Sequence, residues 1–203
     1  MAFIIEDGVL RKYTPEEGET EVTVPDGVTI IDSYVFKDCE NLVSVVLPEG
    51  LKEINEEAFS GCKNLRSIKF PDSLTYIEYG AFLDCESLGP ELEIPELVWG
   101  IGDEAFENCT SLTTLRINNP EIRLFCDFLY GCVNLTDVYV KGLNAYDRML
   151  SCVDTEKVNI YVDGVLSDHS DDWNWNIQND WDGILDFYRN NREKWLAEIN
   201  NRK

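Results

Sequence analysis

Over roughly residues 22–140 apolar residues return neither on the 3.6-residue beat of a helix nor on the two-residue beat of a long strand, but at an interval of 23 positions. The clearest marker is a cysteine column, Cys39, Cys62, Cys85, Cys109 and Cys132, whose steps are 23, 23, 24 and 23 residues. Three residues ahead of each stand Phe36, Phe59, Phe82, Phe106 and Leu129, and three behind stand Leu42, Leu65, Leu88, Leu112 and Leu135. Eight ahead are Ile31, Ile54, Ile77, Ile101 and Leu124; fourteen ahead are Pro25, Pro48, Pro71 and Pro95, then Asn118 in place of proline. The single 24-residue step comes from one residue inserted before Pro95.

Each copy opens with an L-x-x-L-x-L segment, as in Leu65-Arg-Ser-Ile68-Lys-Phe70 and Leu112-Thr-Thr-Leu115-Arg-Ile117, whose closing alternation predicts a short strand. Proline then ends the strand, and a second apolar pair precedes a turn such as Ser60-Gly61-Cys62. One such unit cannot bury its apolar column alone. Stacked about 4.8 Å apart, successive units share one core of Phe, Cys, Leu and Ile ladders. The expected fold is an α/β-type repeat protein, a solenoid of about five 23-residue coils spanning 22–140. Residues 1–21 supply an N-terminal hairpin cap around Asp7-Gly8, a dipeptide suited to a I′ turn. Residues 141–203 supply one more strand at Val158 to Val162, an acidic loop, and an amphipathic helix. In that helix Trp181, Ile184, Leu185, Tyr188, Trp195, Leu196 and Ile199 share one face over the open end.

The composite pattern Pro-x-x-(Val/Leu)-x-x-Ile-x-x-x-Ala-Phe-x-x-Cys-x-x-Leu over roughly 22–140 resembles the BspA-like class of bacterial leucine-rich repeats. The resemblance implies a right-handed solenoid with one strand-lined face, used for adhesion or protein binding. Many members of that class are secreted or attached to the cell surface. The N-terminus here reaches Glu6-Asp7 without a basic region or a long apolar run. A cytoplasmic location is therefore expected, with the cell surface or secretion as the alternative. No apolar run is long enough for membrane insertion.

Charge narrows the partners. With 39 acidic and 17 basic side chains the net charge is -22, which opposes direct binding of nucleic acid or anionic lipid. Residues 1–162 carry -18, the segment 163–186 adds -7, and 187–203 returns +3. Seven cysteines, an odd number, in a chain without an export signal favour reduced thiols. A column spaced by 23 residues lacks the close pairs of a zinc site, so no metal is expected and the cysteines are read as core. Cys126 and Cys152 fall outside the column. The one histidine, His169, sits in a polar loop without a nucleophile elbow or oxyanion turn, and the aspartates around it lack EF-hand spacing. Phosphate-binding glycine motifs are missing as well. No catalysis and no cofactor are expected.

The outward strand positions carry the interaction reading. Val46, Lys69, Glu93, Arg116, Tyr139 and Tyr161 form one row, with Arg66, Glu91 and Asp137 among its neighbours, and the charges on this face sum to zero. A neutral strip bearing Tyr and Arg within an acidic body suits a protein-binding surface. Trp99 stands where other copies have Thr29, Lys52 and Thr75, and marks an exposed aromatic anchor. Trp173 and Trp175, beside Asp168, Asp171 and Asp172, mark a second candidate contact. The expected function is a non-catalytic module that binds another protein through its strand face and C-terminal cap. The alternative is an acidic decoy that imitates nucleic acid and blocks a basic protein. Six or seven coils rise about 30 Å, which spreads the charge to one per roughly 1.4 Å, near the value of about 1.7 Å in duplex DNA.

Overall fold

Two ladders of short parallel strands run along the protein, one from each half of the repeat. The computed structural model describes residues 2–166 except 143, 144, 146–148, 150, 151 and 155. Its strands in chain order are β1 (Ala2–Glu6), β2 (Val9–Thr14), β3 (Glu21–Thr23), β4 (Ile30–Ile31), β5 (Ser44–Val46), β6 (Glu53–Ile54), β7 (Ser67–Ile68) and β8 (Tyr76–Ile77). There follow β9 (Glu91–Ile94), β10 (Gly100–Ile101), β11 (Thr114–Ile117), β12 (Arg123–Leu124), β13 (Asp137–Val140), β14 (Asn159–Val162) and β15 (Val165–Leu166).

The L-x-x-L-x-L segments build the first ladder, which falls into two pieces, β3-β5-β7 and β9-β11-β13-β14-β15. The second apolar pair of each coil builds the other, β1-β2-β4-β6-β8-β10-β12. The hairpin begins this second ladder: β1 and β2 pair antiparallel across Asp7-Gly8, both in the left-handed region required by a I′ turn, and β2 continues in parallel to β4.

The core between the ladders is the set of columns. Phe36, Phe59, Phe82 and Phe106 are fully buried and stacked nearly parallel, with ring centroids 4.7, 5.1 and 5.3 Å apart. Tyr13 and Phe3 of the hairpin extend this stack at 4.8 and 5.6 Å, which closes the N-terminal end. Four of the five column thiols donate to the preceding coil: Cys62 Sγ to Phe36 O, Cys85 to Phe59 O, Cys109 to Phe82 O and Cys132 to Phe106 O, at 3.1 to 3.5 Å. The column thus ties coil to coil as well as filling space.

Three expectations change. The strand Glu21–Thr23, at the start of the expected span, already stacks on Ser44–Val46, giving a β-solenoid of about six turns rather than five coils. The α/β description gives way to an almost all-β one. Among the described residues helix is confined to the 3-10 turn Cys126–Leu129 and to Ala145 and Met149. The reason is local: Tyr34, Glu57 and Glu104 sit at φ 65°, 48° and 56°, and Asp38, Asp84 and Asn108 at 58° to 59°, so each turn segment leaves the helical region twice. The strand-lined surface is doubled, and its main face is split between β7 and β9. The C-terminal amphipathic helix lies outside the described residues.

A candidate interaction surface on the strand face

The split in the first ladder originates at the inserted residue. Between Leu88 and Pro95 this coil has one position more than its neighbours, and the surplus is taken up at Gly89 (φ 149°). A Cβ there would lie 2.4 Å from the Ser111 carbonyl oxygen, so only glycine fits. Gly89 N–H still donates to Arg66 O at 3.1 Å, but past that point β7 and β9 do not pair. The parted strands leave a groove of about 590 Å³ along the strand face, flanked by Lys69 on one side and Glu93, Leu97, Arg116, Asn118 and Lys141 on the other.

Beside the groove the ladder registers set Glu93 next to Arg116, Arg116 next to Tyr139, and Tyr139 next to Tyr161. The Arg116 guanidinium lies over the Tyr139 ring, 4.0 Å from its centroid. Tyr139 and Tyr161 stack 4.4 Å apart with an interplanar angle of 9°. Arg116 is therefore held flat by an aromatic ring, with no carboxylate within ion-pair distance among the described residues. The acids nearby are engaged in other ways. Glu93 accepts a hydrogen bond from Asn118 Nδ2 at 2.7 Å. Asp137 accepts from Thr136 Oγ1 at 2.7 Å and Asn159 Nδ2 at 3.1 Å, and these donors, with the Tyr161 hydroxyl, hold its carboxyl below the usual range. The face presents a half-buried cation on an aromatic stack while Glu93 and Asp137 are satisfied by neighbouring donors.

Four of the expected row, Glu93, Arg116, Tyr139 and Tyr161, are thus contiguous, and Lys69 faces them across the groove. Val46 and Arg66, both exposed, belong to the three-stranded piece beyond the split and do not join the row. Trp99 is 49% exposed but lies on the other ladder, where its ring stacks on Tyr76 at 4.4 Å, so it is not part of this surface. Trp173, Trp175, Asp168, Asp171, Asp172 and His169 lie outside the described residues, as does the side chain of Cys126. Asn118, Lys141 and Leu97 were not anticipated. The signal that could have found Asn118 is its departure from the proline column, since only a side chain with a donor can fasten Glu93.

Among the described residues no group of three or more His, Cys, Asp or Glu side chains is arranged to hold a metal ion. Burial raises the thiols of Cys62, Cys85 and Cys109 well above the ordinary cysteine range, and pushes Cys132 up to about 12. Such thiols are poor nucleophiles and poor metal ligands near neutral pH. Cys152, half-buried, points at Phe125 O from 3.7 Å. No helix among the described residues is long and apolar enough to cross a membrane.

No curated protein matches the chain. Among solved structures it is similar to a leucine rich repeat protein from T. pallidum, at 27% identity over 64% of this chain and 62% of that one, with a TM-score of 0.60. A leucine rich cell surface protein from Faecalibacterium prausnitzii A2-165 is 26% identical over 72% of this chain and 38% of that one, with a TM-score of 0.64. The pneumococcal vaccine antigen PcpA shares the fold at 21% identity and a TM-score of 0.58, over 77% of this chain and 45% of that one. The chain therefore spans less than two-thirds of the length of each of these three proteins. The BspA type leucine rich repeat profile matches residues 17–136 in six copies. With more than half of its sequence in those copies and the matching ladders in its fold, the protein belongs to the BspA type leucine rich repeat family.

Proposed function

We propose that this chain is a non-catalytic protein-binding module whose contact surface is the strand face from the groove at Lys69 to the stack at Tyr161. The observation that carries the reading is the Arg116-Tyr139-Tyr161 row. Packing already fixes these side chains, so a partner orders them at little entropic cost, and Arg and Tyr are the residue types enriched at binding hot spots. The neighbouring groove supplies the concavity that a flat strand face lacks. Arg116→Glu and Tyr139→Ala should each weaken a captured partner about tenfold or more, equivalent to about 1.4 kcal/mol. Their circular dichroism and unfolding midpoints should stay close to those of the parent. Trp99→Ala, on the other ladder, should leave the affinity within about twofold. Unchanged binding in both strand-face variants would refute the reading.

A second reading, an acidic decoy for a basic protein, draws on the turn edge. There the Glu107 carboxyl is raised by burial and then by the charges of Glu104, Asp84, Asp127 and Asp103. It requires binding that falls steeply with added salt and survives Arg116→Glu. The F. prausnitzii relative is described as a cell surface protein. A surface location is the corresponding proposal here, against the cytoplasmic expectation, and fractionation of the source cell decides between them.

A further inference from the structure

Ile68 is uncovered where the rest of its column is sealed. Val22, Val45, Leu92, Leu115, Val138 and Ile160 hold the same position in their strands and are buried. Ile68 is only half-buried and lines the groove between β7 and β9, with Leu97, 55% exposed, on the opposite side. Both lips of this groove are strand edges. β7 pairs with β5 and β9 with β11, and among the described residues no strand takes the other edge of either. Thr114 N–H donates to Pro90 O at 3.0 Å and Asn118 N–H to Ile94 O at 3.1 Å, so the even-numbered peptide groups here face β11. Strand alternation turns the N–H and C=O of Glu91 and Glu93 the other way, into the groove. On the opposite lip Arg66 O already accepts from Gly89 N–H, and the Ile68 peptide group, two residues on, faces the same side. Edges of this kind are templates for a further strand.

Charge selects which strand fits. Lys69, Arg116 and Lys141 line the groove, and none of them lies within ion-pair distance of a carboxylate among the described residues. Of the acids that line it, Glu93 is held by Asn118, Glu91 stands at the start of β9, and Asp72 and Glu96 follow the prolines that end the strands. The groove is therefore basic midway and acidic at both ends. We propose, resting on the strand-face function above, that the partner contributes an extended peptide segment that adds a strand to the open edge of β9, between it and β7. Its core pattern is apolar-acidic-apolar. Side chains of a strand alternate, so the two apolar residues settle on Ile68 while the carboxylate between them points outward to Lys69 and Arg116. Main-chain bonds to Glu91 and Glu93 supply affinity, and the uncovered Ile68 with the unpaired cations supplies selectivity. The volume of about 590 Å³ is in the range of sites that take small ligands.

The test titrates the isotope-labelled full chain with the capped peptide Thr-Thr-Val-Glu-Val-Thr-Thr, whose β-branched residues favour an extended backbone, and follows single amides by NMR. In the free chain the amides of Glu91 and Glu93 should exchange with deuterated water about tenfold or more faster than those of Leu92 and Ile94, and the peptide should remove most of that difference. Replacing the central Glu of the peptide with Lys should weaken binding about fivefold or more. Slow exchange of Glu91 and Glu93 without peptide, no added protection at millimolar peptide, or equal binding of the two peptides would overturn the proposal. Protection in the free chain that disappears on dilution would assign the edge to a second copy and overturn it equally. If in any of these cases capture of a partner still falls with Arg116→Glu and Tyr139→Ala, strand addition alone is removed and the strand-face function stands.

Discussion

At the scale of single residues, the repeat columns assign each side chain a partner of its own kind one coil away. Phe82 is fully buried between Phe59 and Phe106 and is also met edge-on by Phe70 at 5.6 Å. Phe82→Ala should therefore destabilise the protein by about 3–5 kcal/mol, read as a lower urea midpoint. The cost should be felt in the adjoining coils, since stability in a solenoid couples nearest neighbours. The cysteines give a chemical check on the same column. Cys62, Cys85 and Cys109 are fully buried and their thiols resist ionisation, so an aromatic disulfide reagent at pH 8 should leave them unmodified in the native state and label them on unfolding. Rapid native labelling of these three would mean that the coils open far more readily than their packing implies.

At the scale of elements, the turn edge and the split ladder show where local chemistry departs from the average coil. On the turn edge, burial and then the charges of Glu104, Asp84, Asp127 and Asp103 push the Glu107 carboxyl above its ordinary value. The folded protein thus keeps this proton to a higher pH than the unfolded chain does, and stability is lost as pH rises from the unfolded value of about 4.3 through the raised folded one. Glu107→Gln should raise the unfolding midpoint at pH 7, and the gain should vanish near pH 4, as followed by thermal unfolding across pH. The split between β7 and β9 was visible in the sequence only as a 24-residue step. That an added residue opens the strand face, rather than bulging outward, follows from Gly89 packing against Ser111 O while β9 pairs with β11 on its far side.

At the scale of the whole molecule, a charge of -22 spread over a narrow solenoid sets carboxylates of successive coils against one another. Few of them are neutralised among the described residues: ion pairs such as Arg11 with Asp32 at 2.8 Å lie on the surface and contribute little. Raising sodium chloride from about 0.05 M to about 0.5 M shortens the screening length from well above 10 Å to about 4 Å, and should raise the unfolding midpoint by several degrees. A midpoint that falls with salt would mean that attractive pairs outweigh the repulsion. The sequence by itself determined the coil, its period, the identity of the buried columns and the hairpin that closes the N-terminal end. All of these rest on near-neighbour chemistry: a strand's alternation, a turn's left-handed residues, and an apolar column that must be stacked to be buried. It also marked Glu93, Arg116, Tyr139 and Tyr161 as one outward row, because column register carries over directly into ladder register. Only the tertiary structure decided that the second apolar pair of each coil forms a second ladder while the turn segments with two left-handed residues form no helix, that Trp99 lies beside that other ladder, and that the strand face is interrupted by a groove. Those outcomes depend on how one coil meets the next, and the spacing of residues along a single chain does not encode the side of the stack on which a surplus residue is accommodated.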